Sequence, residues 1–329
     1  MPKGIGKLIS FGIAKESSRG TAPGSATYYV PFEDLGFDEK QVHVEDNQAY
    51  GVIEDSIGRS KVKEWAEGML KAMIGDKHFP LILYSLFGSL TTSDDPDSDP
   101  TVKDHAITVA QSAQHQSLAF YLDDPVGGQD YTHALGVVDS MAINYERGKF
   151  VEYEAKLKAK KGATATLTPS ITTENKFLAQ HTTFKLASTQ AGLDGASATA
   201  IKSLKLNINQ NIEDDDVLGN TAPADFLGKS FVIEGDLEAI FQNEADFKTQ
   251  FLANTAKAMR IDLKNTDVTI GSAANPQIKI DLYKVIFKEL SKPVKIGDIM
   301  MQSLSFKAHY SVSDSKMVQI TCVNTVASY

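Results

Sequence analysis

The chain is poor in several features that often define a protein class. Its 329 residues include one cysteine, Cys322, and one tryptophan, Trp65. A single cysteine excludes an internal disulfide framework, which suits a protein that folds in a reducing compartment. Cys322 lies in the apolar run MVQITCVN, so we expect a small buried core residue rather than a reactive thiol.

Long apolar runs and excess basic charge are also missing. No window approaches the roughly 18 apolar residues of a membrane span, and the N-terminal stretch lacks a signal-peptide pattern. We therefore expect an unprocessed chain without membrane contact. The net charge of −9 argues against a nucleic-acid binder that grips phosphates through clustered Lys and Arg. The short basic cluster at 156–161 predicts the solvated end of a strand.

Length and composition otherwise describe an ordinary globular protein. A single hydrophobic core rarely grows beyond about 250–300 residues, so 329 residues suggest two domains. The hydrophobic content of 42% and the charged content of 23% allow a substantial core.

Two short stretches share a pattern that helps to assign their secondary structure. EWAEGMLKAM (64–73) has helical spacing, but Gly68 interrupts it. FVIEGDLEAIF (231–241) matches it without a gap in Glu-Gly-x-Leu-x-Ala, and there the apolar residues alternate with a period of two. Both stretches are therefore predicted as strands, with Gly68 and Gly235 at equivalent positions that mark either a bulge or a close backbone approach.

Two further blocks flank this match in the same order. VIEDSIGR (52–59) resembles NIEDDDVLGN (211–220), and GKFVEYEAKLKA (148–159) resembles GDIMMQSLSFKA (297–308), pairing Leu157 with Phe306. Three matches in one order predict a tandem duplication. The predicted organisation is an N-terminal arm (1–24), a first domain (25–160), a linker or extended arm (161–175) and a second domain (176–329).

Each copy carries one helical signal among many alternating segments. Pro80 and Gly88 suit the start and the C-terminal cap of a helix in DKHFPLILYSLFG, and Asn243 with Asp246 suits a capping box in the second copy. The remaining apolar segments alternate as strands. The predicted fold is mainly β, with tandem sandwich or barrel domains, each with one short flanking helix and long loops or arms. Loops are expected at 91–101 and 188–199.

Candidate catalytic residues are scattered. No histidine takes part in a recognisable metal or catalytic spacing, and although Asp104, His105 and His115 are close in sequence, no nucleophile motif accompanies them. The seven histidines are His43, His78, His105, His115, His133, His181 and His309.

The acidic and glycine-rich motifs also depart from the known cation-binding and dinucleotide-binding motifs. Asp95, Asp97 and Asp99 begin like a calcium loop, but Pro100 replaces the required glycine and Ala106 the bidentate glutamate. The acidic run 213–216 could bind a cation, with a charged loop as the default. Gly4-Ile5-Gly6 lacks the preceding strand and the third glycine of a dinucleotide loop. We therefore expect no catalytic residue, no cofactor site and no metal site.

A duplicated β protein without a catalytic or ligand-binding motif suggests a protein that assembles with copies of itself. Unpaired sheet edges are templates for a strand of a neighbouring chain. The segment AKESSRGTAPGSATYYVPFEDLGF (14–37), the EG-x-L-x-A strand followed by a helix, and IKSLKLNIN (201–209) resemble the tail tube, or major tail, proteins of long-tailed bacteriophages. The resemblance spans nearly the whole chain.

The resemblance implies a structural virion protein whose subunits form rings that stack into a hollow tail tube for DNA. Tandem copies favour a trimer with pseudo-sixfold symmetry, and a hexamer with one copy outside is the alternative. Implied partners are the chain itself, the tape-measure protein, the tail terminator and tip proteins, and transiently passing DNA. The implied location is the virion tail, after synthesis in the host bacterial cytoplasm. We expect Asp and Glu to outnumber Lys and Arg on the pore wall.

Two other readings remain open from the residues alone. A tail-tip or adhesion module recognising a receptor or glycan would need an exposed aromatic patch in a loop, whereas the long loops here are acidic or rich in Ser, Thr and Ala. A β-sandwich hydrolase using Asp104 and His105 lacks a nucleophile and an oxyanion signature.

Overall fold

The computed structural model describes residues 5–94, 99–124, 130–241, 247–294, 296–297 and 299–329. In these ranges the chain is mainly β, with two α-helices, as predicted. None of the helices that the structure describes is long and apolar enough to cross a membrane.

The first half of the chain forms ten strands and one helix. They are β1 (Ser10–Lys15), β2 (Tyr28–Val30), β3 (Phe32–Glu45), β4 (Arg59–Met73), α1 (His78–Phe87), β5 (Gly88–Asp94), β6 (Lys103–Val109), β7 (Leu118–Asp123), β8 (Asp130–Glu146), β9 (Glu152–Ala159) and β10 (Ala163–Ala165).

The second half contributes nine strands and a shorter helix. They are β11 (Thr182–Ala187), β12 (Ser203–Asn209), β13 (Ile212–Asp215), β14 (Asp225–Gly228), β15 (Val232–Ile240), α2 (Lys248–Leu252), β16 (Lys257–Lys264), β17 (Gln277–Ser291), β18 (Met301–Ala308) and β19 (Val318–Asn324).

The stretch with helical spacing is a strand, because EWAEGMLKAM forms the end of β4. Ala66, Leu70 and Ala72 are fully buried, and their predicted counterparts in β15 are buried in the same alternation. The period of two in the second copy therefore predicted the first copy correctly. The four-residue spacing of Trp65, Met69 and Met73 lies on the other face of the same strand.

Gly68 and Gly235 lie where neighbouring groups leave no room for a side chain. A Cβ on Gly68 would stand 1.9 Å from the carbonyl oxygen of Gly36 in β3. A Cβ on Gly235 would stand 2.5 Å from the Phe306 ring and 2.6 Å from the Lys205 carbonyl oxygen. The predicted close approach is confirmed at both glycines.

The downstream match between the copies is confirmed in the strand register. Gly68 lies opposite Leu157 in the β4–β9 ladder, and Gly235 lies opposite Phe306 in the β15–β18 ladder. The β8–β9 and β17–β18 ladders each contain a β-bulge, at Asp139 in β8 and at Lys288 in β17, and these two residues differ in number by as much as Leu157 and Phe306 do.

The two halves also repeat the same scheme of strand pairing. The ladders β1–β7, β7–β8, β8–β9, β4–β9, β3–β4 and β8–β10 correspond to β11–β16, β16–β17, β17–β18, β15–β18, β12–β15 and β17–β19. The upstream sequence match does not follow this scheme, because Ile212 belongs to β13 while Ile53 lies in an irregular segment.

One sheet runs through both halves, and we call it the shared sheet. Its strand order is β3-β4-β9-β8-β12-β15-β18-β17, so four strands of the first half precede their four counterparts from the second half. The long strands β8 and β17 leave this sheet at their N-terminal ends and pair there with β7 and β16 in a second layer, which we call the outer layer. Apolar side chains from both layers and from α1 fill the core between them.

A hairpin from the first half completes the outer layer of the second half. Strands β5 and β6 pair with each other, and β6 pairs with β19. At the end of the β6–β19 ladder, the buried Asn324 amide donates to the carbonyl oxygen of Asp76 at 2.7 Å. The halves are therefore joined twice, by β8–β12 in the shared sheet and by β6–β19 in the outer layer.

Several local predictions are refined by the structure. Helix α1 ends at Gly88 in the left-handed conformation, as predicted, and Pro80 lies in its first turn. Helix α2 is shorter than its sequence suggested, and Asn243 and Asp246 lie outside the described residues. The loop expected from Thr91 is wrong as far as Asp94, because β5 extends through these residues and pairs with β6.

The predicted arm and linker both contribute strands. Strand β1 lies within 1–24 and carries the buried Phe11 and Ile13, and β10 lies within 161–175 and pairs with β8. The proposed division into domains at 25–160 and 176–329 stays a prediction.

A methyl group on Gly68 or Gly235 should destabilise the fold. We expect Gly68→Ala and Gly235→Ala each to lower the free energy of unfolding by about 1–3 kcal/mol, because overpacking shifts the adjacent strand. Gly36→Ala is the matched control, since a Cβ there has nothing within 4 Å. Urea denaturation of the three variants measures the difference, and equal stability of all three would contradict the close approach.

A charge on the core face of the repeated strand should be more damaging. We expect Leu70→Asp and Leu237→Asp to destabilise by several kcal/mol, because both side chains are fully buried. Met69→Asp, on the exposed face of β4, should stay within about 1 kcal/mol of the parent. Thermal unfolding followed by circular dichroism distinguishes the two faces.

Candidate assembly surface

The histidines that the sequence placed near Asp104 have structural partners. The buried His105 ring contacts Thr92 Oγ1 at 2.9 Å and Asn324 Oδ1 at 3.0 Å, and burial lowers its pKa. The His115 ring contacts the carbonyl oxygens of Leu86 and Ala110. These hydrogen bonds connect strands and loops, and a hydrolytic role for Asp104 and His105 gains no support from them.

The acidic candidates are divided between hydrogen-bonded turns and a strand. Asp99 accepts hydrogen bonds from Thr101 and Ser272, whereas Asp95 and Asp97 lie outside the described residues, as does Gly4. The charged loop expected at 213–216 is wrong as far as Asp215, since Ile212–Asp215 is strand β13. Over the described ranges, no group of three or more His, Cys, Asp or Glu side chains could hold a metal ion.

Cys322 is the buried core residue that the sequence predicted. Its side chain lies in β19 among apolar neighbours, and burial raises the pKa of its thiol. A raised pKa keeps the thiol protonated and poorly nucleophilic at neutral pH.

The β8–β12 ladder is the junction between the two halves, and its register is unbroken. It runs from Ser140 opposite Asn209 to Glu146 opposite Ser203. Met141 and Ile208 are opposite one another on the core face, and both are buried. We call this ladder the internal junction.

Gln210 closes the internal junction at the bulge of β8. Its buried side-chain amide donates to the carbonyl oxygen of Val138, and its backbone N–H donates to the Asp139 carbonyl oxygen at 3.1 Å. The Asp139 carboxylate accepts the N–H of Ile212 at 3.1 Å. The polar groups exposed by the bulge therefore find partners in the segment that follows β12.

The two ends of the shared sheet are open. Among the strands that the structure describes, none pairs with the edge of β3 that faces away from β4. In those same ranges, none pairs with residues 286–291 of β17 on the side away from β18. Unpaired N–H and C=O groups on such edges can bind a strand of another chain.

The open edge of β3 is acidic, whereas lysines lie within and beside the open edge of β17. On β3, acidic side chains outnumber the single Lys40, whereas the last part of β17 and the residue after it carry Lys284, Lys288 and Lys292 against Glu289. Burial and then the nearby lysines lower the pKa of His309, which marks the positive field on that side. The acidic residues of β3 are Glu33, Asp34, Asp38, Glu39 and Glu45.

The connections that follow β3 and β12 differ between the copies. The β13–β14 hairpin, which follows β12, packs on the first half, where Lys63 and Lys158 bond to Asp214 at 2.8 Å each. Arg19 also binds Asp225. The β3–β4 hairpin, in contrast, projects as an arm with exposed apolar side chains, among them Val44, Tyr50, Val52, Ile53 and Ile57.

One face of the shared sheet is polar, and it is open to solvent except where the β13–β14 hairpin covers Lys63 and Lys158. It lies opposite the core face, and acidic side chains outnumber basic ones on it. Strand alternation assigns the acids Asp34, Asp38, Glu67, Glu146, Glu152, Glu154, Glu234, Asp236, Glu238 and Glu289, and the bases Lys40, Lys63, Lys71, Lys156, Lys158, Lys205 and Lys307. The bulge residues Glu33, Asp139 and Lys288 bond to side chains of this face and belong to it as well. We call this surface the open face.

Comparison with known proteins bears on these surfaces. The model of a family described as "Phage tail tube protein" matches residues 6–308. No curated protein matches the chain significantly. The match therefore includes the first sequence copy, the second copy as far as Ala308, the internal junction and both open edges.

The ion pairs of Asp214 make the docking of the β13–β14 hairpin sensitive to acid. Burial raises the pKa of Asp214, but Lys158 and Lys63 outweigh burial, so the net shift is downward. A carboxylate with a lowered folded pKa stabilises above the unfolded value near 3.9. That contribution is lost as the pH falls through the lower folded value.

Trp65 should report this titration, because Lys63 Nζ lies 5.2 Å from its ring centroid. We expect Trp65 fluorescence to change as the pH falls below about 4. In Asp214→Asn this transition should be absent, and the fluorescence at pH 7 should already resemble the acid form. Glu213→Gln, an exposed carboxylate of the same strand, is the control. Identical titrations of all three proteins would contradict the assignment.

Proposed function

Because the chain belongs to the phage tail tube protein family, we propose that it self-assembles into rings that stack into the hollow tube of a phage tail. In this role the protein is structural, not catalytic. DNA passes through the tube during ejection without sequence-specific contacts.

The observation that carries the proposal is the repeated strand order of the shared sheet. The step from β3, β4, β9 and β8 to β12, β15, β18 and β17 relates one half to the next through a heterologous contact. A heterologous contact that repeats with the same rotation closes into a ring when that rotation divides a full turn, and otherwise gives a helical filament. The internal junction is one instance of that contact, and the open edges of β3 and β17 supply the next.

Three copies give the favoured ring, with pseudo-sixfold symmetry. Eight strands from each chain make a barrel of 24 strands. With a strand spacing of about 4.8 Å and a tilt of about 40°, its backbone diameter is about 45–50 Å. Such a barrel leaves room for a DNA duplex once side chains are subtracted. A hexamer with one copy outside the ring fits less well, because both copies contribute to the shared sheet.

The open face is proposed to line the channel. Its excess of acidic side chains would repel the phosphate backbone, which carries one negative charge per about 1.7 Å of duplex axis. Repulsion from the wall favours sliding over binding. The interspersed lysines, several of them in ion pairs such as Lys71 with Glu152, moderate the field.

The proposed location is the virion tail, after synthesis in the host bacterial cytoplasm. In the assembled tail the partners would be further copies of the chain, the tape-measure protein inside the tube, and the terminator and tip proteins at its ends. The division into two tube domains, at 25–160 and 176–329, is part of the same proposal.

Electron microscopy of the purified protein at high concentration tests the function. We expect rings or hollow tubes with an apparent sixfold outline, and a ring mass equal to three chains by mass photometry. A protein that stays monomeric at every concentration and salt condition would contradict the proposal. A ring mass of six chains would favour the hexamer instead.

A further inference from the structure

We infer that the open edge of β3 in one copy pairs with the open edge of β17 in a second copy, in the register of the internal junction. The inference rests on the proposed self-assembly and specifies its contact. It assigns Gln41 the role at the intermolecular junction that Gln210 has inside the chain.

The register follows from two equivalences already established by the ladders. Strand β8 pairs with β9, and β17 pairs with β18, the counterpart of β9 in the second half. Superposing these two ladders makes Ser140, Met141 and Ala142 of β8 equivalent to Glu289, Leu290 and Ser291 of β17. In the same way, β4 and β15 align β3 with β12, which makes Asp38, Glu39 and Lys40 equivalent to Asn207, Ile208 and Asn209. Transfer of the internal register then places Lys40 opposite Glu289, Glu39 opposite Leu290 and Asp38 opposite Ser291.

Gln41 is the first residue beyond this ladder, as Gln210 is in the second half. Gln210 is buried and its amide donates to the Val138 carbonyl oxygen at the bulge of β8. Gln41 is exposed in the single chain. The residue equivalent to Val138 is Phe287, which precedes the bulge of β17 at Lys288. The Gln41 amide of one copy therefore donates to the Phe287 carbonyl oxygen of another.

Charge selects this pairing over its alternatives. The acidic edge of β3 would repel a second β3 edge, and the lysines near the β17 edge would repel another β17 edge. The β3–β17 contact brings the two signs together and places Lys40 and Glu289 directly opposite each other, where opposite charges stabilise a sheet. The occupant of each open edge is thus the other edge of a second copy.

Cysteine cross-linking tests the register in the full chain. Asp38→Cys with Ser291→Cys places two thiols on opposite ends of the shared sheet, about 34 Å apart within one chain at seven strand spacings. Mild oxidation should therefore join different chains only, and the products on a non-reducing gel should end at the ring size. Asp34→Cys with Ser291→Cys is the control, four residues or about 13 Å out of register.

Single-cysteine variants distinguish a contact between unlike edges, β3 with β17, from a contact between two like edges. Asp38→Cys alone and Ser291→Cys alone should not cross-link, whereas a mixture of the two should give dimers. Cys322 is common to all variants and buried, so it should not react. Cross-linking of Asp38→Cys with itself would overturn the β3–β17 pairing, and equal yield from the out-of-register control would overturn the register.

Gln41 and Gln210 should differ in what they stabilise. Gln41→Ala should raise the concentration for half-assembly about tenfold, by loss of one hydrogen bond and exposure of its acceptor, without change in monomer melting temperature. Gln210→Ala should lower the melting temperature of the monomer instead. Gln48→Ala, exposed in the β3–β4 hairpin, should change neither property.

The results distinguish this inference from the proposed function. Rings or tubes that assemble without cross-linking Asp38→Cys to Ser291→Cys, and with unchanged assembly of Gln41→Ala, would overturn the edge pairing while leaving the tube function intact. Failure of the parent protein to form any ring would overturn both.

Discussion

The backbone ladder between β8 and β12 is the contact on which the architecture depends. It converts two four-strand segments into one sheet and sets the spatial step from one half to the next. The buried pair of Met141 and Ile208 fixes its register, because a slip by one residue would turn the apolar side chains of β12 to the polar face. Gln210 then closes the ladder at the bulge, where the backbone groups of β8 would otherwise lack partners.

The polar and apolar faces of the shared sheet have different roles. The apolar face packs on the outer layer and on α1, and it explains the stability of each half. Outside the part that the β13–β14 hairpin covers, the polar face has no such partner within the described residues, so its charges are free to act on what passes over it. Strand alternation alone separates the two roles, since neighbouring residues such as Met69 and Leu70 point to opposite faces.

Much of the strand pattern could be predicted from the sequence, because the duplication supplied a second, related sequence with which each strand could be compared. The alternation around Gly235 corrected the helical spacing around Gly68, and the match of Leu157 with Phe306 proved to be a match of ladder positions. The long-range pairs could not be read from local patterns. Nothing near Ile107 or Ile320 indicates that β6 crosses to β19. The shared Gln41 and Gln210 were a detectable signal, but their meaning depends on a bulge that only the ladders reveal.

The hairpin β5–β6 gives the duplication a mechanical consequence. Because it completes the outer layer of the second half while β8–β12 joins the inner sheet, the halves are fastened on both surfaces and cannot hinge about a single seam. The angle between the halves is therefore set when the two ladders form during folding. In a closed assembly the angle between the halves determines the circumference. Ring size is therefore set by the core of the single chain and not by the strength of the contact between copies.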